Sequence, residues 1–201
     1  MNKNSLQKPV YQTRFETKSS ENATELISQA HHPVKIRPLS GVDFDMHVQA
    51  VDIAGLSLAN SFSRSGLRMD FENPYDGYCL TICTNGKYVF ELRERQSLEI
   101  DCNRSAMADL NRLEHESISA ESAWRRIAIP THDMHARLTE LTGAKTNGRV
   151  IFSPFVERKS EILKVLVALS DSIFEGVCGD APLLRAPAAL VSVSDAMRCS
   201  I

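Results

Sequence analysis

The chain has 201 residues, 43% of them hydrophobic and 24% charged, which is typical of a globular domain with a sizeable core. Its net charge of −2 argues against direct binding to nucleic acid, because phosphate binding needs an excess of Lys and Arg on one face. No apolar run approaches the ~20 residues that span a bilayer, and no apolar segment follows Lys8 to complete a signal peptide. Five scattered cysteines fit reduced thiols, so we expect a cytoplasmic protein.

An N-terminal arm and a short helix are the first predicted elements. Residues 1–19 are polar apart from Val10–Phe15, a run that could be an edge strand or an ordered arm. From Ser20 onward, Ala23, Leu26, Ile27 and Ala30 recur at helical spacing. Pro33 ends this helix, because the residue before a proline disfavours the α conformation.

Between Val34 and Ile129 the apolar residues recur with a period of two. Phe44, Met46, Val48 and Ala50 show this most clearly. Turn signals such as Ser65–Gly66, Asn73–Gly77 and Asn85–Gly86 separate the apolar runs. Eight or so short strands at a spacing of ~10 residues predict an antiparallel sandwich or barrel.

Helices are predicted after the strands. Thr131 can cap a helix that ends at Gly143, and a final helix begins near Pro187. Between them, a strong helix at about 158–175 carries an apolar stripe made of Ile162, Leu166, Leu169 and Ile173. Because Leu163, Val167 and Phe174 widen this stripe to two sides, the helix needs two packing partners. The predicted fold class is α+β, with an arm (1–19), a helix plus β domain (20–129) and a helical region (130–201).

The sequence predicts neither a metal site nor a catalytic residue. No His-x-His pair occurs, and His132 with His135 has no third ligand nearby. His47 and His115 fall on strands and are interpreted as hydrogen-bonded residues. No Gly-x-Ser-x-Gly motif is present, and Cys79 with Cys83 is read as filler of a sheet interior. We therefore expect a protein that is not an enzyme and has no cofactor.

A small-molecule pocket is the functional feature that the strands suggest. Aromatic and sulfur-containing side chains fall at strand positions that can converge, with two polar anchors: Met69, Tyr78, Tyr88, Phe90, Met107 and Trp124, anchored by Thr81 and Arg126. The same aromatic residues could equally fill a core. An anionic ligand is favoured only if Arg126 or Lys87 points inward.

In order and spacing, the chain resembles the N-terminal ligand-binding domain of AraC/XylS-type transcription regulators over roughly residues 20–200. The segments that carry the resemblance are Leu26–Pro33, Phe44–Ala50, Gly55–Leu58, Tyr78–Gly86, Trp124–Pro130 and Pro182–Pro187. One departure is Asp101–Ser105, which stands where the family usually has a Pro-Gly-Asp turn. Another is that the residues after Glu175 hold no helix-turn-helix motif.

The resemblance implies a cupin-like β-barrel or sandwich that binds a small organic effector. It also implies a C-terminal helical dimerisation region, in which Ile162, Leu166, Leu169 and Ile173 form a homodimer interface. DNA would be contacted only through a helix-turn-helix domain that this chain lacks, and no membrane partner is expected. Two alternatives stay open: a cupin-type metal-dependent enzyme, and a freestanding protein that heterodimerises with regulators.

Overall fold

The computed structural model describes residues 11–30, 32–39, 41–53, 55–93, 95–179 and 187–200. Within these ranges the strands are β1 Tyr11–Thr17, β2 Val34–Pro38, β3 Met46–Ile53, β4 Leu56–Ser63, β5 Leu67–Phe71, β6 Gly77–Asn85, β7 Tyr88–Leu92, β8 Gln96–Ile100, β9 Arg104–Asp109, β10 Leu113–Ile118, β11 Ser122–Pro130 and β12 Phe155–Glu157. The helices are α1 Ser20–Ala30, α2 Thr131–Thr142, α3 Glu161–Cys178 and α4 Pro187–Ser200, with a 3-10 turn at Leu110–Arg112.

The strands form two antiparallel sheets. A seven-stranded sheet has the order β1-β3-β4-β11-β6-β9-β12, and a five-stranded sheet has the order β2-β5-β10-β7-β8. Every neighbouring pair is antiparallel. The α+β architecture and the antiparallel sandwich are therefore confirmed, whereas the described strands do not close into a barrel.

A first apolar core lies between the two sheets. The predicted alternation on β3 is confirmed, since Met46, Val48 and Ala50 all face this core. Cys79 and Cys83 of β6 and Trp124 of β11 join it from the same sheet. Strand side chains point alternately to the two faces, so this core holds every second residue of the central strands.

A second apolar core covers the opposite face of the seven-stranded sheet. Strand residues such as Leu58 and Ile127 pack there with Met134 of α2 and Leu163 of α3. Arg125 of β11 also reaches this face, where its guanidinium donates to the Val167 carbonyl at 3.1 Å and to Asp171 at 2.6 Å. The helices after residue 130 are thus attached to the sheet by apolar packing and by a partly buried arginine.

The apolar stripe of α3 divides between the protein interior and the surface. Leu166 and Ile173 are 2% and 0% exposed because they pack against the sheet of their own chain. They have no free surface to offer a second protomer, so the prediction that they contact one is wrong. Leu169 is partly buried against the same core. Ile162, by contrast, is 59% exposed and Val165 is 48% exposed.

The two ends of the chain are in part as expected. β1 is an edge strand paired with β3, which settles the choice left open for Val10–Phe15 in favour of a strand from Tyr11. Helix α1 begins at Ser20, where the Ser19 hydroxyl accepts the Asn22 N–H at 3.1 Å as a cap.

Two features further along the chain differ from the sequence predictions. Strand β12 pairs with β9 although the sequence does not predict it. The Thr131 side chain donates to Asp76 instead of capping α2. His31 and Pro182–Ala186 lie outside the described residues. No described helix is long and apolar enough to cross a membrane.

Two glycines allow a test of the β4–β5 turn. Gly66 has φ +67°, and an added Cβ would lie 2.8 Å from the Ile118 carbonyl oxygen. Gly143, the residue after α2, has φ +69° with open space around it. Gly143→Ala should lower the free energy of unfolding by about 1–2 kcal/mol, the cost of the left-handed conformation. Gly66→Ala should lower the free energy of unfolding by ~1–3 kcal/mol more than Gly143→Ala does, because the added Cβ also clashes with the Ile118 carbonyl oxygen. Urea denaturation of the two variants measures both losses. Equal losses would contradict the close contact.

Candidate functional site: a cavity between the sheets

A cavity of about 590 Å³ opens between the two sheets, within the usual range of small-molecule sites. Its buried lining comes from β3, β5, β11 and the segment around the 3-10 turn: Met46, Val48, Met69, Leu110, Leu113 and Trp124. The partly or fully exposed lining is mainly polar and aromatic: Tyr11, Thr13, Gln29, His32, Asp52, Asn73 and Tyr75. The cavity thus has an apolar interior and a polar mouth.

Three separate segments meet at the mouth. The register of β1 on β3 places Tyr11 opposite Asp52, so the first residues of β1 lie beside the opening. His32 follows α1 and contacts the Tyr75 ring edge-to-face, with 5.7 Å between ring centroids. Its Nε2 lies 2.7 Å from the Asn73 carbonyl oxygen. The arm, the end of α1 and the β5–β6 loop therefore surround the entrance.

Arg126 brings a positive charge to the cavity wall. It follows Trp124 on the inner face of β11, and its side chain is only 19% exposed. Nη1 donates to Oε2 of Glu116 at 3.0 Å, and Nε donates to the Cys79 sulfur at 3.3 Å. Within the described part of the chain, Nη2 has no hydrogen-bond partner. Of the described lining residues, Arg126 is the one Arg or Lys.

Glu116 of β10 is the buried counter-ion of Arg126. It is 0% exposed, and the Tyr88 hydroxyl donates to its Oε2 at 2.5 Å. Burial raises the pKa of Glu116, although Arg126 and the Tyr88 hydrogen bond oppose the shift. Burial beside Glu116 also raises the pKa of Tyr88, so the tyrosine remains a neutral donor. Oε1 of Glu116 has no partner among the described residues, which disfavours its ionised form further.

The structure brings three of the eight predicted pocket residues to the cavity. Met69, Trp124 and Arg126 line it. Tyr88 and Phe90 belong to the inner core but lie behind the lining. Thr81 is buried 3.5 Å from the Cys79 sulfur and does not line the cavity.

Tyr78 and Met107 lie on the wrong face for the predicted pocket. Both belong to the second core, beneath the helices. The Tyr78 hydroxyl accepts the Val150 N–H at 2.9 Å, and its ring contacts Phe152 edge-to-face. β6 and β9 are buried on both faces, so their sequences contain no polar alternation that would have shown which side faces the cavity.

Sequence reasoning missed Glu116 and most of the mouth. Glu116 carried one usable signal, because it is a charged residue two positions before the buried Ile118 and therefore on the inner face of β10. The mouth residues gave no such signal, since Asn73 and Tyr75 lie in a loop and His32 lies in the connection between α1 and β2. Lys87, the other candidate for an anion site, points outward to Glu99 at 3.0 Å.

Possible metal ligands do not gather in the cavity. Among the described residues, one trio could offer three ligand atoms within 4.8 Å of one another: Glu16, Asp45 and His47. None of these three lines the cavity. Glu16 and His47 are cross-strand partners on β1 and β3, and Glu16 is exposed.

Comparison with solved structures finds this architecture in a transcription regulator. The AraC-like transcriptional activator CuxR overlaps with a TM-score of 0.58 at 14% identity, over 94% of this chain and 70% of that one. At this identity the likeness shows the fold alone, which the two proteins share over nearly the whole of this chain.

Two other solved structures overlap only in part. A cupin-like protein from Thermotoga maritima has a TM-score of 0.36 at 14% identity, over 47% of this chain and 78% of that one. KdgF from Halomonas sp. has a TM-score of 0.35 at 11% identity, over 42% of this chain and 78% of that one. No protein-family model matches the sequence. A search of curated proteins also finds no match.

Replacement of Glu116 should change how stability depends on pH. A carboxyl group with a raised pKa adds stability that is complete below its unfolded pKa of ~4.3 and is lost as the pH rises through the folded pKa. Glu116→Gln removes this dependence, so the free energy of unfolding of the variant, minus that of the wild type, should increase as the pH rises.

Urea denaturation at a series of pH values measures this difference. The unpaired Arg126 of the variant stays charged throughout and adds only a constant offset. Glu114→Gln, at an exposed position of the same strand, is the matched control and should not reproduce the trend. Parallel curves for Glu116→Gln and the wild type would contradict the raised pKa.

Proposed function

We propose that this chain is the effector-sensing and dimerisation domain of an AraC/XylS-type transcription regulator. The observation that carries the proposal is the cavity between the sheets, with its apolar interior and one partly buried arginine in its described lining, in a fold shared with an AraC-like activator. In this proposal a small organic molecule occupies the cavity, and DNA is contacted through a helix-turn-helix domain outside this chain. The protein acts in the cytoplasm and has no catalytic role.

The elements at the mouth supply a means of response. β1 and the end of α1 line the entrance. β1 is an edge strand that pairs with one neighbouring strand, β3. A ligand that touches both elements binds one arrangement of them better than another. It therefore shifts the population toward that arrangement by its difference in affinity.

The position of the metal-capable trio disfavours the rival metal-dependent enzyme. Such an enzyme needs its ligands inside the cavity, next to the substrate, and the described trio lies outside the cavity lining. The third hypothesis, a protein that heterodimerises with other regulators, shares the cavity and differs in its partner. The homodimer experiment below separates it from the leading proposal.

Homodimerisation would use the exposed side of α3. Its centre would be Ile162 and Val165, one turn apart and solvent-exposed, with the partly buried Leu169 beside them. Exposed aliphatic side chains at helical spacing favour helix-to-helix association. Leu166 and Ile173, in contrast, would support the dimer by fixing α3 on the sheet.

Ligand binding can be tested by thermal-shift screening against small organic metabolites. A ligand at 100 times its dissociation constant should add ~2.7 kcal/mol of stability. Trp124 is the single tryptophan of the chain and lines the cavity, so its fluorescence should change on binding. Ala128→Phe, which places a bulky side chain in the cavity, should abolish both responses.

Ala144→Phe is the matched control for this substitution, because Ala144 is exposed and does not line the cavity. It should preserve the thermal shift and the fluorescence change. A ligand whose effects survive Ala128→Phe binds elsewhere. If no class of compound stabilises the wild type, the sensor proposal is wrong.

The dimer proposal predicts that two acidic substitutions on α3 separate the protomers. Ile162→Asp combined with Val165→Asp should convert a dimer to a monomer in analytical ultracentrifugation, because unpaired charges are costly in an apolar interface. Arg93→Glu, at an exposed position beyond β7, is the control and should leave the dimer intact. A wild-type monomer at high concentration would exclude the homodimer and favour the heterodimer hypothesis.

A further inference from the structure

We propose that the cavity selects a small organic monocarboxylate, and that Glu116 takes up a proton from solvent when Arg126 binds the ligand carboxylate. The inference rests on the proposed ligand-binding function and adds the chemical class of the ligand to it. The ligand carboxylate accepts a hydrogen bond from Nη2 of Arg126, and the proton from bulk water is added to Oε1 of Glu116. Nη2 of Arg126 and Oε1 of Glu116 both lack a hydrogen-bond partner among the described residues.

The ligand class follows from the charges of the lining. Arg126 offers one partner-free guanidinium nitrogen among the described residues, next to the apolar surfaces of Trp124 and Met69. One arginine matches one carboxylate, whereas a phosphate ester would need further cations that the described lining does not supply. An ammonium group would meet Arg126 as a like charge inside the cavity, and Asp52 could attract it only near the solvent at the mouth.

Proton uptake follows from the sharing of Arg126. Ionised Glu116 depends on Arg126 for compensation, since the Tyr88 hydroxyl is its other hydrogen-bond donor and Oε1 has no described partner. A ligand carboxylate brings a second negative charge to the same guanidinium. Two carboxylates that share one cation away from water favour protonation of one of them.

Glu116 is the carboxyl group best placed to accept the proton. Burial already raises its pKa, whereas the ligand enters from solvent as an anion. The titratable or charged groups that face Glu116 are Arg126 from β11 and Tyr88 from β7, and Arg126 in turn contacts Cys79 from β6. The cross-strand neighbours of Glu116 are Met69 and Phe90, which do not titrate. The expected result is tighter binding as the pH falls, by up to about tenfold per pH unit for one proton.

Isothermal titration calorimetry with three matched probes tests this inference. Phenylbutyrate, phenylbutyramide and phenylbutylamine share one apolar body and differ in the head group. Phenylbutyrate should bind roughly 10- to 100-fold more tightly than the other two, the range for a charge-assisted hydrogen bond. Titrations in buffers of different ionisation enthalpy should show uptake of close to one proton.

Two variants separate the roles of the pair. Glu116→Gln should bind phenylbutyrate more tightly than the wild type, without proton uptake and without pH dependence, because its side chain is already neutral. Arg126→Gln should reduce phenylbutyrate affinity to that of the amide and leave amide binding unchanged. If Arg126→Gln fails to fold, the Glu116→Gln/Arg126→Gln double variant replaces the ion pair by a neutral pair and should give the same result.

The possible failures are distinguishable. Equal or tighter binding of the amide or the amine overturns the inference, as does phenylbutyrate binding that is unaffected by Glu116→Gln. Failure of all three probes also overturns it. If a non-acidic compound nevertheless binds the cavity in the thermal-shift screen, the proposed sensing function stands without the acid preference.

Discussion

Strand β6 of the seven-stranded sheet is apolar on both faces, and this constraint accounts for much of the architecture. Tyr78, Leu80 and Ile82 of β6 face the helices, while Cys79 and Cys83 face the five-stranded sheet. A sheet of this kind must be covered twice, because each face removes apolar surface from water only when something packs on it. The helices after residue 130 therefore contribute to the stability of the β domain. For the same reason, two of the four predicted interface residues of α3 pack against the sheet of their own chain.

The Arg126–Glu116 pair places two opposite charges beside the inner core. A buried ion pair is a weak source of stability, since the loss of hydration offsets most of the attraction between the charges. Its retention beside a cavity is easier to understand as binding chemistry, because the arginine faces the cavity and its counter-ion stands behind the wall. In the proposed binding mode this counter-ion is neutralised when the ligand anion arrives, and the raised pKa of Glu116 favours that step.

The cavity and the helices lie on opposite faces of one sheet. β11 carries Arg126 on its inner face and Arg125 on its outer face, so one strand touches both the cavity and α3. A sensing domain needs such a placement if ligand binding in the cavity is to change the position of helices at a surface used for assembly. A rigid, doubly covered sheet transmits displacement better than a loop would, because a close-packed interior resists local compression.

The sequence by itself determined the order of the elements, the antiparallel sandwich and the inward alternation of β3, because local periodicity and turn residues carry that information. It also identified Trp124 and Arg126, which lie at alternate positions on a strand with polar neighbours. Tertiary structure alone decided that Tyr78 and Met107 face the helices, since a strand buried on both sides looks the same from either face. The pairing of Glu116 with Arg126 also came from the fold: the two residues belong to different sheets, and only the packing of those sheets brings their charges together.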